Sequence, residues 1–240
     1  MSYNARNIIT MIIISLAFLI LTAPTKAIET LQLNTRNTVN LRGPITESSL
    51  AAIQKELILK AMNRRHSKVY LVINSPGGSV FAGDAFLNSI RHLTNISIVC
   101  LDCASMAVMM LQAHTGQRII VENSTLMYHR ASSSFSGQIG EGELESRLKM
   151  VKEKLAMFEK TISRRLKMSV QAYKAKIKDE WWVHAPEAIA TGHADKMVRL
   201  SCTKSLIKKT ETVHIPTAFG VAKLHFSGCP LLTFPLPNNK

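Results

Sequence analysis

An α/β fold built on a mostly parallel sheet is what this 240-residue chain predicts, and three observations predict it. Short apolar runs bounded by polar residues, among them Val69–Ile73 and Ile96–Leu101, alternate with stretches of helical period. Pro76-Gly77-Gly78 closes the first run, and the small-residue turn Asp102-Cys103-Ala104-Ser105 closes the second. An almost wholly apolar segment, Met106–Leu111, follows that turn. Strand and helix in alternation imply a layer of strands with helices packed on it, and they leave the reactive groups at strand ends.

In chain order, Arg6 precedes an apolar run from Ile8 to Leu21, followed by Thr22-Ala23-Pro24-Thr25-Lys26-Ala27. The run is short for a membrane span and suits a signal-peptide core, with Thr25 and Ala27 as a small-x-small cleavage site. A mature, exported chain beginning near Ile28 is expected, periplasmic or secreted, with an uncleaved membrane anchor as the alternative. Cleavage removes Arg6 and Lys26 and no acid, taking the formal charge from +14 to +12. A surface this basic favours anionic partners such as membrane headgroups. The basic residues are dispersed and not interleaved with stacking aromatics, so no nucleic-acid partner is expected. With 46% hydrophobic and 19% charged residues the composition is that of a globular core and excludes global disorder.

Thr46 is placed to cap a helix from about Glu47 to Asn63, with Leu50, Ile53, Leu57 and Ala61 on one face. From Val80 a second helix carries Phe86, Ile90 and Leu93 inward. The apolar helix spans Ser105 to His114, and Arg118–Val121 and Leu126–Tyr128 read as two further short strands. From Glu141 the residues Leu144, Leu148, Val151, Leu155, Phe158, Ile162 and Leu166 recur by threes and fours. That is a helix of roughly 40 Å, too long for a compact domain unless a partner subunit or another segment covers its seam. Trp181–Ile189 reads as the start of another helix, ended by Gly192, and His193–Val198 as a returning strand. Beyond Leu200 no period persists, so residues 201–240 read as a basic, proline-containing extension with little structure of its own.

The four cysteines fit an oxidising compartment without requiring one. A bridge between Cys202 and Cys229 would tie down the carboxy-terminal stretch, although spacing does not settle it. Cys100 and Cys103 form a CxxC with no second pair at metal spacing, so buried thiols are expected there, with no redox or zinc role.

Hydrolysis by a serine needs a nucleophile, a base, a group that orients the base, and amide donors for the oxyanion. Ser105 at a helix start, His129 at a strand end, and the amides of Gly78 and Met106 supply three of the four if the strand ends converge. Neither metal nor cofactor is called for.

In order and spacing, Asn74-Ser75-Pro76-Gly77-Gly78, Ala104-Ser105-Met106-Ala107, Met127-Tyr128-His129 and Ala185-Pro186-Glu187-Ala188 resemble the proteolytic subunits of Clp proteases, the ClpP family. The likeness runs from about Val39 to Val198. It implies a ClpP/crotonase-like ββα spiral with a protruding handle helix, and a serine endopeptidase domain over residues 28–200. Ser105 matches the nucleophile, His129 the general base, and Gly78 and Met106 the oxyanion donors. The Glu141–Leu166 helix resembles the handle through which rings of subunits pair, which implies a homo-oligomer acting on peptides or unfolded polypeptides.

Two departures matter. Counting back from Ala185 to the position of the family's orienting aspartate reaches Glu180; Asp179 is one residue too early and is the alternative acid. An exported chain also lacks an ATP supply, so a peptidase without an ATP-driven partner is expected. Competing readings are a catalytically impaired scaffold or binding protein of the same fold, and a crotonase-type enzyme using paired amides on an acyl thioester. A serine–lysine mechanism has no lysine placed for it near Ser105.

Overall fold

The computed structural model describes residues 27–63, 68–131, 140–217 and 220–237. The expected export segment, residues 8–21, lies outside them. Two amino-terminal strands, β1 (Glu29–Leu33) and β2 (Thr38–Arg42), precede helix α1 (Glu47–Met62). Thr46 caps α1 as expected: its hydroxyl accepts from Ser49 N–H at 3.0 Å, and Ser49 Oγ accepts from Thr46 N–H at 3.0 Å. Then come β3 (Val69–Ser75), α2 (Val80–Ile90), β4 (Ile96–Ala104), α3 (Met106–Ala113) and β5 (Arg118–Tyr128). The long helix α4 (Glu141–Arg165) leads through α5 (Val170–Lys176), β6 (Trp181–His184) and α6 (Ala185–Ala190) to β7 (Lys196–Cys202).

The main sheet runs β1-β7-β5-β4-β3-β2 with every neighbouring pair parallel, and β6 adds to β5 in antiparallel sense. This is the mixed α/β architecture the alternation predicts. Its central strands, β3, β4 and the first half of β5, are apolar on both faces, as a sheet covered on both sides requires. Leu71, Ile73, Ile98 and Ile120 point into the larger core with Phe86, Met110 and Phe158, while Val72, Val99, Ile119 and Val121 point into a smaller one.

Several expectations are corrected. Arg118–Tyr128 is one strand: the register against β4 jumps from Cys100↔Ile120 to Asp102↔Thr125, and Asn123 takes φ 68° within the extra residues. Trp181–His184 is a strand and not a helix start, because β5 offers it a ladder; the helix begins at Ala185, with Pro186 in its first turn. Cys100 and Cys103 are joined as a disulfide and are not free thiols.

The stretch after Leu200 is structured. Helix α7 (Lys204–Lys208) seats Leu206 in the smaller core, and β8 (Thr210–Thr217) pairs with β9 (Gly220–Ser227) as a hairpin. The Cys202–Cys229 disulfide closes this unit. It is fastened to β2 and α1 by Arg42, which donates to the carbonyls of Ser227 and Cys229, and by Lys209, which reaches Glu56.

Helix α4 divides along its length. Phe158 and Ile162 are buried, whereas Leu144, Met150 and Met157 are exposed.

Candidate functional site

Ser105 stands where β4 stops and α3 starts. Its backbone, at φ 55° and ψ −123°, is a conformation side chains other than glycine rarely adopt, costing on the order of 1–3 kcal/mol. The turn is held from both sides. Ser105 N–H donates to Met127 O at 2.9 Å, and Ser105 O accepts from the N–H groups of Val108 and Met109 at 3.1 Å. Although Ser105 is the N-cap residue, its hydroxyl makes no capping bond, and among the described residues it has no hydrogen-bond partner at the strand-to-helix corner. The helix behind it, Met106–Gln112, is entirely buried and anchors the turn in the core.

The glycine loop lies directly against this corner. A β-carbon on Gly77 would come within 2.6 Å of Ser105 Cβ, 2.7 Å of Ala104 O and 2.9 Å of Met106 N, so only glycine allows the approach. Gly77 has φ 96° and Gly78 φ 148°, both on the side of backbone space that favours glycine. Ile45 pins the loop through Ile45 N–H to Gly77 O and Ser79 N–H to Ile45 O, each 2.8 Å. Met106 is the first residue of α3, where the helix offers its N–H no partner. Among the described residues neither Met106 N–H nor Gly78 N–H has a hydrogen-bond acceptor. Two open amide donors therefore flank the serine corner.

His129 follows β5 directly and is half-buried. The β5–β6 ladder pairs Met127 with Trp182 and ends at Tyr128↔Trp181, so His129 and Glu180 are the next residues outward on the two strands. Asp179 is one place further. Glu180 is exposed, and its Oε2 accepts from Trp182 Nε1 at 2.9 Å. Among the described residues no hydrogen bond joins Ser105, His129 and either acid. The topology thus brings Ser105 and His129 to the same ends of adjacent strands, with Glu180 on the strand beyond.

Beneath this corner lies a polar network that the sequence reading missed. Gln112, Arg118, Tyr128 and His193 are all buried. Arg118 Nη1 donates to Gln112 Oε1 at 2.8 Å, and Gln112 Nε2 donates to Tyr128 Oη at 2.9 Å and to His193 O at 2.8 Å. Tyr128 Oη lies 2.7 Å from His193 Nδ1. Arg118 also pairs with Asp195, whose carboxyl is held below the usual range: burial opposes this, and the Arg118 hydrogen bonds and charge outweigh it. Burial, reinforced by Arg118 and Lys176, pushes the His193 imidazole down to about 4, so it is neutral at neutral pH. Burial raises the Tyr128 phenol well above its ordinary value. Nothing local in the sequence links Gln112, Tyr128 and His193; only the fold does.

No group of three or more His, Cys, Asp or Glu side chains among the described residues could hold a metal ion. Chemically, the corner presents a free hydroxyl, two amide donors and an imidazole on one rim, the set that acyl transfer to a serine draws on. The model of one protein family, Clp protease, matches residues 24–201, a span that takes in the serine corner, the glycine loop and the β5–β6 ladder and leaves out α7 and the carboxy-terminal hairpin. By that match the chain belongs to the Clp protease family, a family of peptidases.

Proposed function

We propose that this protein is a serine endopeptidase in which Ser105 attacks the peptide carbonyl, His129 takes the serine proton and returns it to the leaving amine, and Glu180 orients His129. The amides of Gly78 and Met106 stabilise the oxyanion of the tetrahedral intermediate. The observation that carries the reading is the Ser105 corner: a strained turn whose hydroxyl the helix does not use, next to two amide donors without acceptors. Glu180 is favoured over Asp179 because the β5–β6 ladder, continued one step, sets residue 180 opposite residue 129. A catalytic hydrogen-bond set that is loose in the free protein tightens when substrate fills the site.

The enzyme is proposed to work on peptides or unfolded polypeptides outside the cytosol, without an ATP-driven partner. Copies assemble into rings that pair through α4, where exposed Met150 and Met157, seven residues apart, lie on one face of the helix and give it apolar surface to bury. The basic surface keeps the assembly close to anionic membrane headgroups.

The test is fluorophosphonate labelling of the purified protein in wild type, Ser105→Ala and His129→Ala, with the modified peptide identified by mass spectrometry. Labelling at Ser105 that is lost in both variants is expected. A folded, assembled wild type that does not label overturns the peptidase reading. It would leave the second one, a catalytically impaired scaffold, which is favoured by one contact: Glu180 is bonded to Trp182 and not to His129.

A further inference from the structure

The buried network under the serine corner has a direction. Arginine can only donate, so the Arg118 contact fixes which end of the Gln112 amide is oxygen, and Gln112 Nε2 must donate to Tyr128. With that lone pair occupied, the Tyr128 hydroxyl proton is aimed at His193 Nδ1. His193 is thereby held as the tautomer protonated on Nε2. Its ring lies edge-on to Trp181, centroids 4.8 Å apart at 78°, and Trp181 lies 5.2 Å from the Tyr128 ring. Tyr173 closes the cluster with an edge contact to Tyr128 at 6.4 Å.

The placement of these rings along the chain matters most. Tyr128 is the residue before His129, and Trp181 the residue after Glu180; the two are the last rung of the β5–β6 ladder. One buried imidazole therefore contacts the neighbour of the base and the neighbour of the acid together. Leucine and phenylalanine would fill this space with no polar group to satisfy. A hydrogen-bonded chain adds direction, because it admits one rotamer of Tyr128 and one orientation of His193.

We propose that Tyr128, His193 and Gln112 form a buried clamp, closed by Trp181, that sets the separation of His129 from Glu180. They are positioning residues: none reaches the substrate, and each acts through the strand end that carries the base or the acid. The proposal rests on the peptidase reading of Ser105 and His129.

The experiment compares wild type with Tyr128→Phe, His193→Asn, His193→Leu and the double variant Tyr128→Phe/His193→Leu. Each is measured for melting temperature, assembly size, kcat and KM on a short fluorogenic peptide, and the rate of fluorophosphonate labelling at Ser105. Tyr128→Phe and His193→Leu should lower kcat about tenfold with KM nearly unchanged, since a base misplaced by a fraction of an ångström loses rate before affinity. His193→Asn, whose Oδ1 replaces Nδ1 as acceptor, should stay within about threefold of wild-type kcat. The double variant removes the hydroxyl and the imidazole together and leaves only one Gln112 N–H without its partner, so it should recover part of the melting temperature lost in Tyr128→Phe without recovering kcat; it also covers the case in which a single variant does not fold. Wild-type kcat in the folded double variant, or in either folded single variant lacking the contact, overturns the clamp while the peptidase reading stands. A wild type that neither labels nor cleaves overturns the peptidase reading and the clamp with it.

Discussion

The rim of the serine corner and the floor adjoin where Tyr128 precedes His129 and Trp181 follows Glu180, and they are built on opposite terms. On the rim, Ser105 sits in a strained conformation, and among the described residues its hydroxyl and the amides of Gly78 and Met106 have no hydrogen-bond partner, while Glu180 is exposed. On the floor, Arg118, Gln112, Tyr128 and His193 are buried and joined end to end by hydrogen bonds. The rim keeps its polar groups open, whereas the floor joins Arg118, Gln112, the Tyr128 hydroxyl and His193 Nδ1 to one another. An open group can bind a reacting atom, but it stays in place only if the backbone carrying it has no freedom, and the floor removes that freedom.

Three changes probe this contrast, the first with the largest expected effect. Gly77→Ala strikes where rim and backbone meet: its β-carbon would press on Ala104 O and Met106 N, which are main-chain atoms with nowhere to move. It should abolish serine labelling and cost about 2–4 kcal/mol of stability by denaturant unfolding. Gly43 gives the matched control. It has φ 75° with nothing within 4 Å of an added β-carbon, so Gly43→Ala should lose about 1 kcal/mol and no activity.

Glu180→Ala touches the rim alone. It should lower kcat by about 10²–10⁴-fold at unchanged melting temperature, whereas Asp179→Ala should stay within about threefold. The reverse order would move the acid to Asp179 and imply that the ladder slips beyond Tyr128↔Trp181 when substrate binds.

The smallest effect, acidification, acts on the floor. The folded protein holds His193 at about 4, below the ordinary imidazole value of about 6.5. Between those values the unfolded chain binds the extra proton, so the contribution of His193 is complete above pH 6.5 and is lost as pH falls toward 4. Unfolding free energy should drop by up to about 3 kcal/mol across that window. The slope should flatten in His193→Leu. His114, also lowered chiefly by burial, adds to the slope that remains.

Much of the rim could be read from the sequence because its parts are local. A proline and two glycines after an apolar run, and a serine before an apolar helix, announce a turn and a corner wherever they occur. The strands β3 and β4 and the helices α1 to α4 were legible for the same reason. What escaped depends on partners distant in the chain. Trp181–Val183 is β-favouring but too short to stand apart from the helix that follows at Ala185 until β5 pairs with it, and the polar stretch Glu122-Asn123-Ser124 hides the continuity of β5. The hairpin β8–β9 alternates polar and apolar residues around Pro216 and is fastened by Cys202–Cys229 and by contacts to Arg42 and Asn40, none visible locally. The floor is the extreme case, since Gln112 comes from α3, Tyr128 from β5 and His193 from the turn between α6 and β7, and each would pass alone as an ordinary core or turn residue.

The chain has two tryptophans, adjacent in sequence, and β6 sends them to opposite sides of this boundary. Trp181 lies against His193 and Tyr128, while Trp182 is 53% exposed with its indole N–H on Glu180. Intrinsic fluorescence therefore carries two separable signals without any added dye. Emission from Trp181 reports protonation and packing of the floor, and emission from Trp182, quenchable by a soluble collider, reports the moment Glu180 leaves it for another partner.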